Sequence, residues 1–200
     1  MAITTYAQLQ TAVANWVHRA DLTSMIPDFI TLGELRIFRE VRCRVMEATL
    51  SGTIASGVVA LPSDYLELKL AYLNGAPKHK LTGASASQIY DKYPLRASDG
   101  IPVLIGREGS NFIFGPYPDS TYTLSGTYYA QPTSIATSAN ALFLANPDLY
   151  LFAALCESAP YTKSDNAAVW EAKYASIVAN LERESSTEEG SGGGMRIVAK

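Results

Sequence analysis

Hydrophobic positions near the N-terminus recur with the period of an α-helix. The first apolar stripe consists of Tyr6, Leu9, Val13, Trp16 and Val17. Thr5 followed by Gln8 has the spacing of a capping box, which predicts a helix from here to about His18. A second helix is predicted from Pro27, which suits a first turn, to about Arg42. Its inward positions are predicted to be Phe29, Ile30, Leu32, Leu35, Phe38 and Val41.

From about Val45 to Ala139 the pattern changes to short apolar runs separated by Gly, Pro, Asn and Asp, which is typical of strands and turns. Asn74-Gly75 is a hairpin turn signal at the end of a strand. The apolar face of that strand is predicted to consist of Leu66, Leu68, Leu70 and Tyr72. Glu108-Gly109 predicts another hairpin, and the run Thr121–Tyr129 alternates between apolar and mostly hydroxyl side chains.

Helical patterns also occur within the strand region and after it. A second capping box at Ser85–Gln88 predicts a short helix. Asn146-Pro147 starts a helix that is apolar nearly all round, so we expect it to be buried, and Pro160 should end or kink it. A last helix is predicted from about Asp165. Its apolar stripe consists of Trp170, Tyr174, Ile177 and Leu181.

These elements predict an α+β fold. Residues 1–44 and 140–185 are expected to form a helical bundle of antiparallel type, and residues 45–139 a β-rich insertion. Residues 186–200 are expected to be a flexible tail, because Gly and Ser dominate the sequence "SSTEEGSGGG".

The end of this tail is less polar than its start. The apolar residues Met195, Ile197 and Val198 follow the glycines, with Arg196 and Lys200 beside them. One interpretation is a tethered docking segment, and the other is an ordinary frayed terminus.

Composition limits the classes of partner. The chain of 200 residues carries 16 Lys and Arg against 19 Asp and Glu, a formal net charge of -3. Such a balance argues against a primary role in gripping DNA or an anionic membrane. The longest apolar run, Leu149–Cys156, is too short to span a bilayer, and the N-terminus does not resemble a signal peptide. Cys43 and Cys156 are expected to be buried free thiols.

The sequence predicts no cofactor, metal or catalytic site. No glycine-rich nucleotide loop occurs, and His18 and His79 are the only histidines. Glu157 could have a raised pKa after its apolar run, with Asp64 or Glu67 as a partner carboxylate, but nothing in the spacing supports that pair.

Charged residues cluster on and after the second helix. The cluster contains Arg36, Arg39, Arg42 and Arg44 together with Glu34 and Glu40. This surface is either a solvated face with its own ion pairs or a face presented to a neighbouring subunit or to DNA. Arg36 and Glu40 have the spacing of an intrahelical ion pair.

Four stretches, taken in order, carry a resemblance to a known family. They are "TTYAQLQTAVANWVHRADLTSMIPDFITLGELRI", "LPSDYLELKLAYLNG", "GSNFIFGPYPDSTYTLSGTYYAQP" and "NPDLYLFAALCESAPY". The chain resembles the head-to-tail adaptor proteins of short-tailed bacteriophages, also called tail tubular or head-completion proteins. The resemblance covers about the first 160 residues.

The resemblance implies a structural virion protein made in the host bacterial cytoplasm. Copies would form a ring, as a dodecamer, beneath the portal protein and would surround the channel through which genomic DNA passes transiently. The tail with Met195, Arg196, Ile197, Val198 and Lys200 would bind the portal, and the far side of the ring would receive the tail nozzle or tube protein. The resemblance carries over no catalytic residue. Two alternatives stay open, a cell-wall (peptidoglycan) hydrolase and a carbohydrate-binding tail component, the latter suggested by the 12 tyrosines.

Overall fold

The structure is a computed structural model that describes residues 3–75, 77–94 and 99–190. It is mixed α+β, as the sequence predicts. The chain divides into two compact units, which we call the helical unit (Met1–Met46 with Pro132–Lys200) and the β unit (Glu47–Gln131). The sequence pattern places these divisions after residues 44 and 139.

Six α-helices lie within the described residues, and all except α3 belong to the helical unit. They are α1 (Tyr6–Val17), α2 (Ile26–Glu40), α3 (Ala86–Lys92), α4 (Ala141–Ala145), α5 (Pro147–Thr162) and α6 (Ala167–Gly190). Both predicted capping boxes are confirmed, at the starts of α1 and α3. Helix α4 has no counterpart in the sequence prediction, and the Asn140 side chain caps it by accepting from the Phe143 backbone N–H.

Helix α5 is the centre of the helical unit. It packs against α1, α2 and α6, and most of its residues are buried as predicted, whereas Glu157 and Tyr161 are partly exposed. Gly33 allows the close approach of α2, because a Cβ atom there would lie 2.8 Å from the backbone nitrogen of Ala154. This contact turns the Gly33 side of α2 toward α5.

The prediction that Leu32 and Leu35 point inward is wrong. Leu32 is 48% exposed and Leu35 is 39% exposed. The buried stripe of α2 instead follows Ile30, Gly33 and Ile37, because the small Gly33 marks the side on which α5 can approach. Trp16, also predicted inward, is 48% exposed, and its ring and that of Phe152 meet edge to face with centroids 5.5 Å apart.

The C-terminal helices differ from prediction at their ends. Pro160 lies inside α5, which continues to Thr162 and ends at Lys163 in the left-handed conformation. Helix α6 buries Trp170, Tyr174 and Leu181 as predicted. It continues to Gly190, past the predicted start of the tail at residue 186, because no residue before Gly190 breaks a helix.

The β unit contains two four-stranded sheets and a two-stranded one within the described residues. Its strands are β1 (Glu47–Ile54), β2 (Val58–Ala60), β3 (Tyr65–Asn74), β4 (His79–Lys80), β5 (Thr82–Gly83), β6 (Asp99–Gly100), β7 (Leu104–Glu108), β8 (Asn111–Gly115), β9 (Tyr117–Pro118) and β10 (Tyr122–Ala130). The sheet orders are β1-β10-β3-β4, β2-β8-β7-β5 and β6-β9. Side chains of both larger sheets share one apolar core, for example Leu50, Leu124, Phe112 and Phe114.

Both predicted hairpins are present. Strands β7 and β8 pair through a two-residue turn that places Gly109 at φ +56°, and β3 pairs with β4, with Leu73 opposite His79. The predicted apolar face of β3 is wrong from Leu70 onward, whereas Leu68 packs against the apolar core as predicted. The pairing with β10 shifts register at Lys69, so the deeply buried residues are Ala71 and Leu73, whereas Leu70 is 39% exposed.

Candidate functional site

An ion cluster on the surface of the helical unit connects α2, α5 and α6. The Arg36 Nη1 and Nη2 atoms donate to the two carboxylate oxygens of Glu171 at 2.9 and 2.8 Å. Arg36 Nε lies 3.3 Å from Glu40, which confirms the predicted intrahelical pair, and Nη1 lies 3.6 Å from Glu157. The guanidinium also stacks over the Tyr174 ring at 4.5 Å. Arg36 therefore joins three helices by contacts within one chain.

This cluster perturbs the acid–base chemistry of its members. The hydrogen bond with Arg36 lowers the pKa of Glu171, and the same bond raises the pKa of Arg36. Burial, with the nearby Glu171 charge, raises the pKa of the Cys156 thiol to about 12. The thiol is therefore protonated at neutral pH, where only a thiolate would be nucleophilic.

The other arginines of the predicted charged face lie in different settings. Arg39 is exposed in the last turn of α2. Arg42 Nη1 donates to the carbonyl oxygens of Phe38 and Val41 at 2.9 and 2.7 Å, which caps the end of α2. The backbone N–H of Arg44 donates to Ser185 Oγ of α6 at 3.2 Å. Two of the four arginines thus hold the helical unit together through their side chains.

A buried carboxylate, Glu34, is a structural anchor that the sequence interpretation placed among the surface charges. It is 5% exposed and accepts hydrogen bonds from Ser134 Oγ at 2.7 Å and from the Ile135 backbone N–H at 2.9 Å. It therefore fixes the segment that enters α4 onto α2. Its position one turn after the inward-facing Ile30 was the only sequence signal for this role.

The carboxylates considered for catalysis have structural partners. Glu157 faces Arg36 in the helical unit. In the β unit, Asp64 accepts a hydrogen bond from the Tyr128 hydroxyl at 2.9 Å. Tyr65 stacks on Tyr128 with ring centroids 5.9 Å apart, so these two tyrosines take part in packing.

Within the part of the chain that the structure describes, no group of three or more His, Cys, Asp or Glu side chains could hold a metal ion. None of its helices is both long and apolar enough to cross a bilayer. Cys43 and Cys156 are buried and form no disulfide. The predicted portal-binding residues 195–200 lie outside the described residues.

Comparison with known proteins gives the family. The model of the SU10 adaptor protein family matches residues 4–196, nearly the whole chain. This chain belongs to the SU10 adaptor protein family. It is a family of phage head–tail adaptors, and the resemblance stated from the sequence is confirmed. No curated protein matches the adaptor with significant similarity.

Family membership fixes the general role. The adaptor is a structural phage protein of the virion, and its partners are portal and tail components. Within its helical unit, the Arg36 cluster ties α2 to α5 and α6, and Glu34 ties α2 to the segment before α4.

Proposed function

We propose that copies of this adaptor form a ring that joins the portal at the head vertex to the tail and forms part of the channel for DNA ejection. The match to an adaptor family over residues 4–196 is the observation that carries the proposal. The ring is a dodecamer in this proposal, assembled on the portal from subunits made in the host cytoplasm. Its far side receives the tail nozzle or tube protein.

The division of the chain into two units supports a different role for each unit. The helical unit contains both ends of the chain and is tied by Arg36 and Glu34, so it suits lateral packing in a ring. The β unit has its own core and can serve the next layer of the assembly. We propose no catalytic role for either unit.

In this proposal the end of the tail binds the portal protein. Met195, Ile197 and Val198 supply apolar anchors on the portal, and Arg196 and Lys200 add charge at the rim of the contact. Alternating apolar residues suit addition to a sheet edge, where each second side chain finds a pocket. Copies bound to one portal act together, which strengthens a contact that is weak for one chain.

In this proposal the four arginines serve the structure or subunit contacts more than DNA binding. Arg36 positions α6 of its own chain by its bond to Glu171, and Arg42 caps α2. Arg39 and Arg44 are exposed, so they are the two that can face a neighbouring subunit. DNA that must slide through the channel makes only transient contacts, since many fixed phosphate contacts would hold it.

A phage that lacks this gene tests the role. We expect heads that package DNA but carry no tails, and addition of the purified protein to those heads should restore tail joining and infectivity. Normal tailed particles from the deletion phage would contradict the proposal. Tailed particles that adsorb to cells but fail to digest the cell wall would instead favour the hydrolase alternative.

A further inference from the structure

A groove opens between α2 and α6 on the helical unit, with a volume of about 260 Å³. Small apolar side chains of α6 form its floor: Ala175, Val178 and Ala179. The carboxylates of Glu40 and Glu182 lie at its edges. Small residues allow the backbone of another helix to approach closely.

The Tyr174 hydroxyl lies at this groove beside the Glu40 carboxylate. Tyr174 is 2% exposed. Burial raises the pKa of this hydroxyl, and the neighbouring Glu40 raises it further. Glu40 therefore brings a carboxylate to the lining of the groove.

The groove also has an excess of negative charge. One guanidinium, that of Arg36, serves the three carboxylates of Glu40, Glu157 and Glu171. Glu182 adds a fourth carboxylate at the edge. A cation brought by a partner would therefore be attracted to this groove.

The same chain presents a surface with matching chemistry. Leu32 and Leu35 are exposed on α2, and Arg39 follows one turn after Leu35. Leu32 to Arg39 is seven positions along α2, and Ala175 to Glu182 is seven positions along α6, so both span about 10 Å. Two apolar side chains can thus lie on the apolar floor while the arginine reaches the acidic edge.

The two surfaces are adjacent but distinct faces of the helical unit. On α2, Leu35 lies about 100° and Leu32 about 40° around the helix from Arg36, which lines the groove. A contact between unlike surfaces is heterologous, and such contacts generate rings when the rotation closes.

We propose that the groove between α2 and α6 receives helix α2 of a second copy, with Leu32 and Leu35 on its floor and Arg39 at its acidic edge. This inference rests on the proposed adaptor function and assigns the lateral contact of the ring.

Cysteine cross-linking in a mixture tests this contact. One sample carries Leu35→Cys and the other Ala179→Cys, and the native Cys43 and Cys156 are 2% and 5% exposed, which keeps them from competing. After mild oxidation of the concentrated mixture, mixed dimers should exceed the two homodimers combined. A control mixture of Leu35→Cys with Lys173→Cys, an exposed position of α6 outside the groove, should give random pairing. Random pairing, homodimer excess or no cross-link in the test mixture overturns the proposal.

Charge reversal gives a second readout. Arg39→Glu and Glu182→Arg should each reduce the mixed cross-link, and combining them on opposite partners should restore it. Loss without restoration overturns the assignment of the acidic edge. If the selective cross-link forms but the protein makes no complex with the portal, this contact is supported and the adaptor proposal is refuted. If rings form on the portal but the cross-links are random, the adaptor proposal is supported and this contact is refuted.

Discussion

At the residue scale, the single side chain of Glu34 fixes the position of the segment that precedes α4. Its carboxylate receives two hydrogen bonds from residues 134 and 135, a hundred positions later in the sequence. Sequence spacing gives no sign of such a contact, because the partner segment has no helical or strand pattern of its own. An inward charge on an otherwise apolar stripe is the one feature that points to it.

Replacing Glu34 by Ala should destabilise the helical unit by about 2–4 kcal/mol, because two donors lose a charged acceptor in a buried setting. Glu34→Gln keeps one acceptor oxygen and should cost clearly less. Urea unfolding followed by tryptophan fluorescence measures this, since both tryptophans, Trp16 and Trp170, lie in the helical unit. Equal losses for the two variants would show that the charge and its hydrogen bonds contribute nothing specific.

The Arg36–Glu171 bond predicts a pH dependence of stability. The folded pKa of Glu171 is lowered, so its stabilisation is complete above the unfolded value of about 4.3 and is lost as pH falls through the folded value. The side chain of Glu171 is 49% exposed, so solvent screening limits the effect to about 1 kcal/mol or less. Between about pH 5 and pH 3, Glu171→Gln should therefore lose less unfolding free energy than the unaltered chain. Parallel losses in the two proteins would contradict this assignment.

Close packing of α2 on α5 is decided at the element scale by Gly33. A Cβ atom there would lie 2.8 Å from Ala154 N and 2.9 Å from Ala153 C, which are backbone atoms that cannot move alone. Gly33→Ala should destabilise the helical unit by about 1–3 kcal/mol, although alanine favours a helix. Ser176→Ala, at an exposed position of α6, is the control and should be neutral or slightly stabilising. A gain in stability from Gly33→Ala would mean that the helices are not in this close contact.

The starts of helices were predictable from sequence where capping residues within the first turn determine them. Thr5 with Gln8 and Ser85 with Gln88 act within one turn, so their capping boxes could be read from spacing alone. The inward face of α2 was not predictable in full, since Leu32 and Leu35 fit a helical stripe as well as the true one does. Only the distant contact at Gly33 selects the buried side.

The prediction of the apolar face of β3 was wrong beyond Lys69 for a similar reason. Alternation along β3 places Leu66, Leu68 and Leu70 on one face, but the shift opposite β10 reverses the alternation after Lys69. Such a shift depends on the partner strand, so the sequence of β3 alone could not predict it.

The ion cluster around Arg36 was predictable only in part. The Arg36–Glu40 pair lies within one helix and follows from spacing, whereas Glu171 lies 135 positions later in the sequence, on another helix.

For the whole molecule, the net charge of -3 predicts weak association with DNA. Free subunits should bind duplex DNA only at low salt, and binding should fall steeply as salt rises. Titration of labelled duplex at several salt concentrations measures this. Tight binding at physiological salt that is lost in the Arg36→Ala, Arg39→Ala variant would show that this face grips DNA.

Native mass spectrometry of the protein with and without its phage's portal protein tests the central claim most directly. Alone in dilute solution, the chain should be largely monomeric, because its lateral contacts stay weak and transient until a template aligns neighbours. With the portal, it should give one complex that carries twelve copies, as the proposed dodecamer requires. A truncation ending at Gly190 keeps α6 complete, and it should fold normally but fail to join the portal. A chain that stays monomeric in the presence of an intact portal ring would contradict the adaptor account. Full complexes formed by the truncated chain would contradict the proposal that the tail binds the portal.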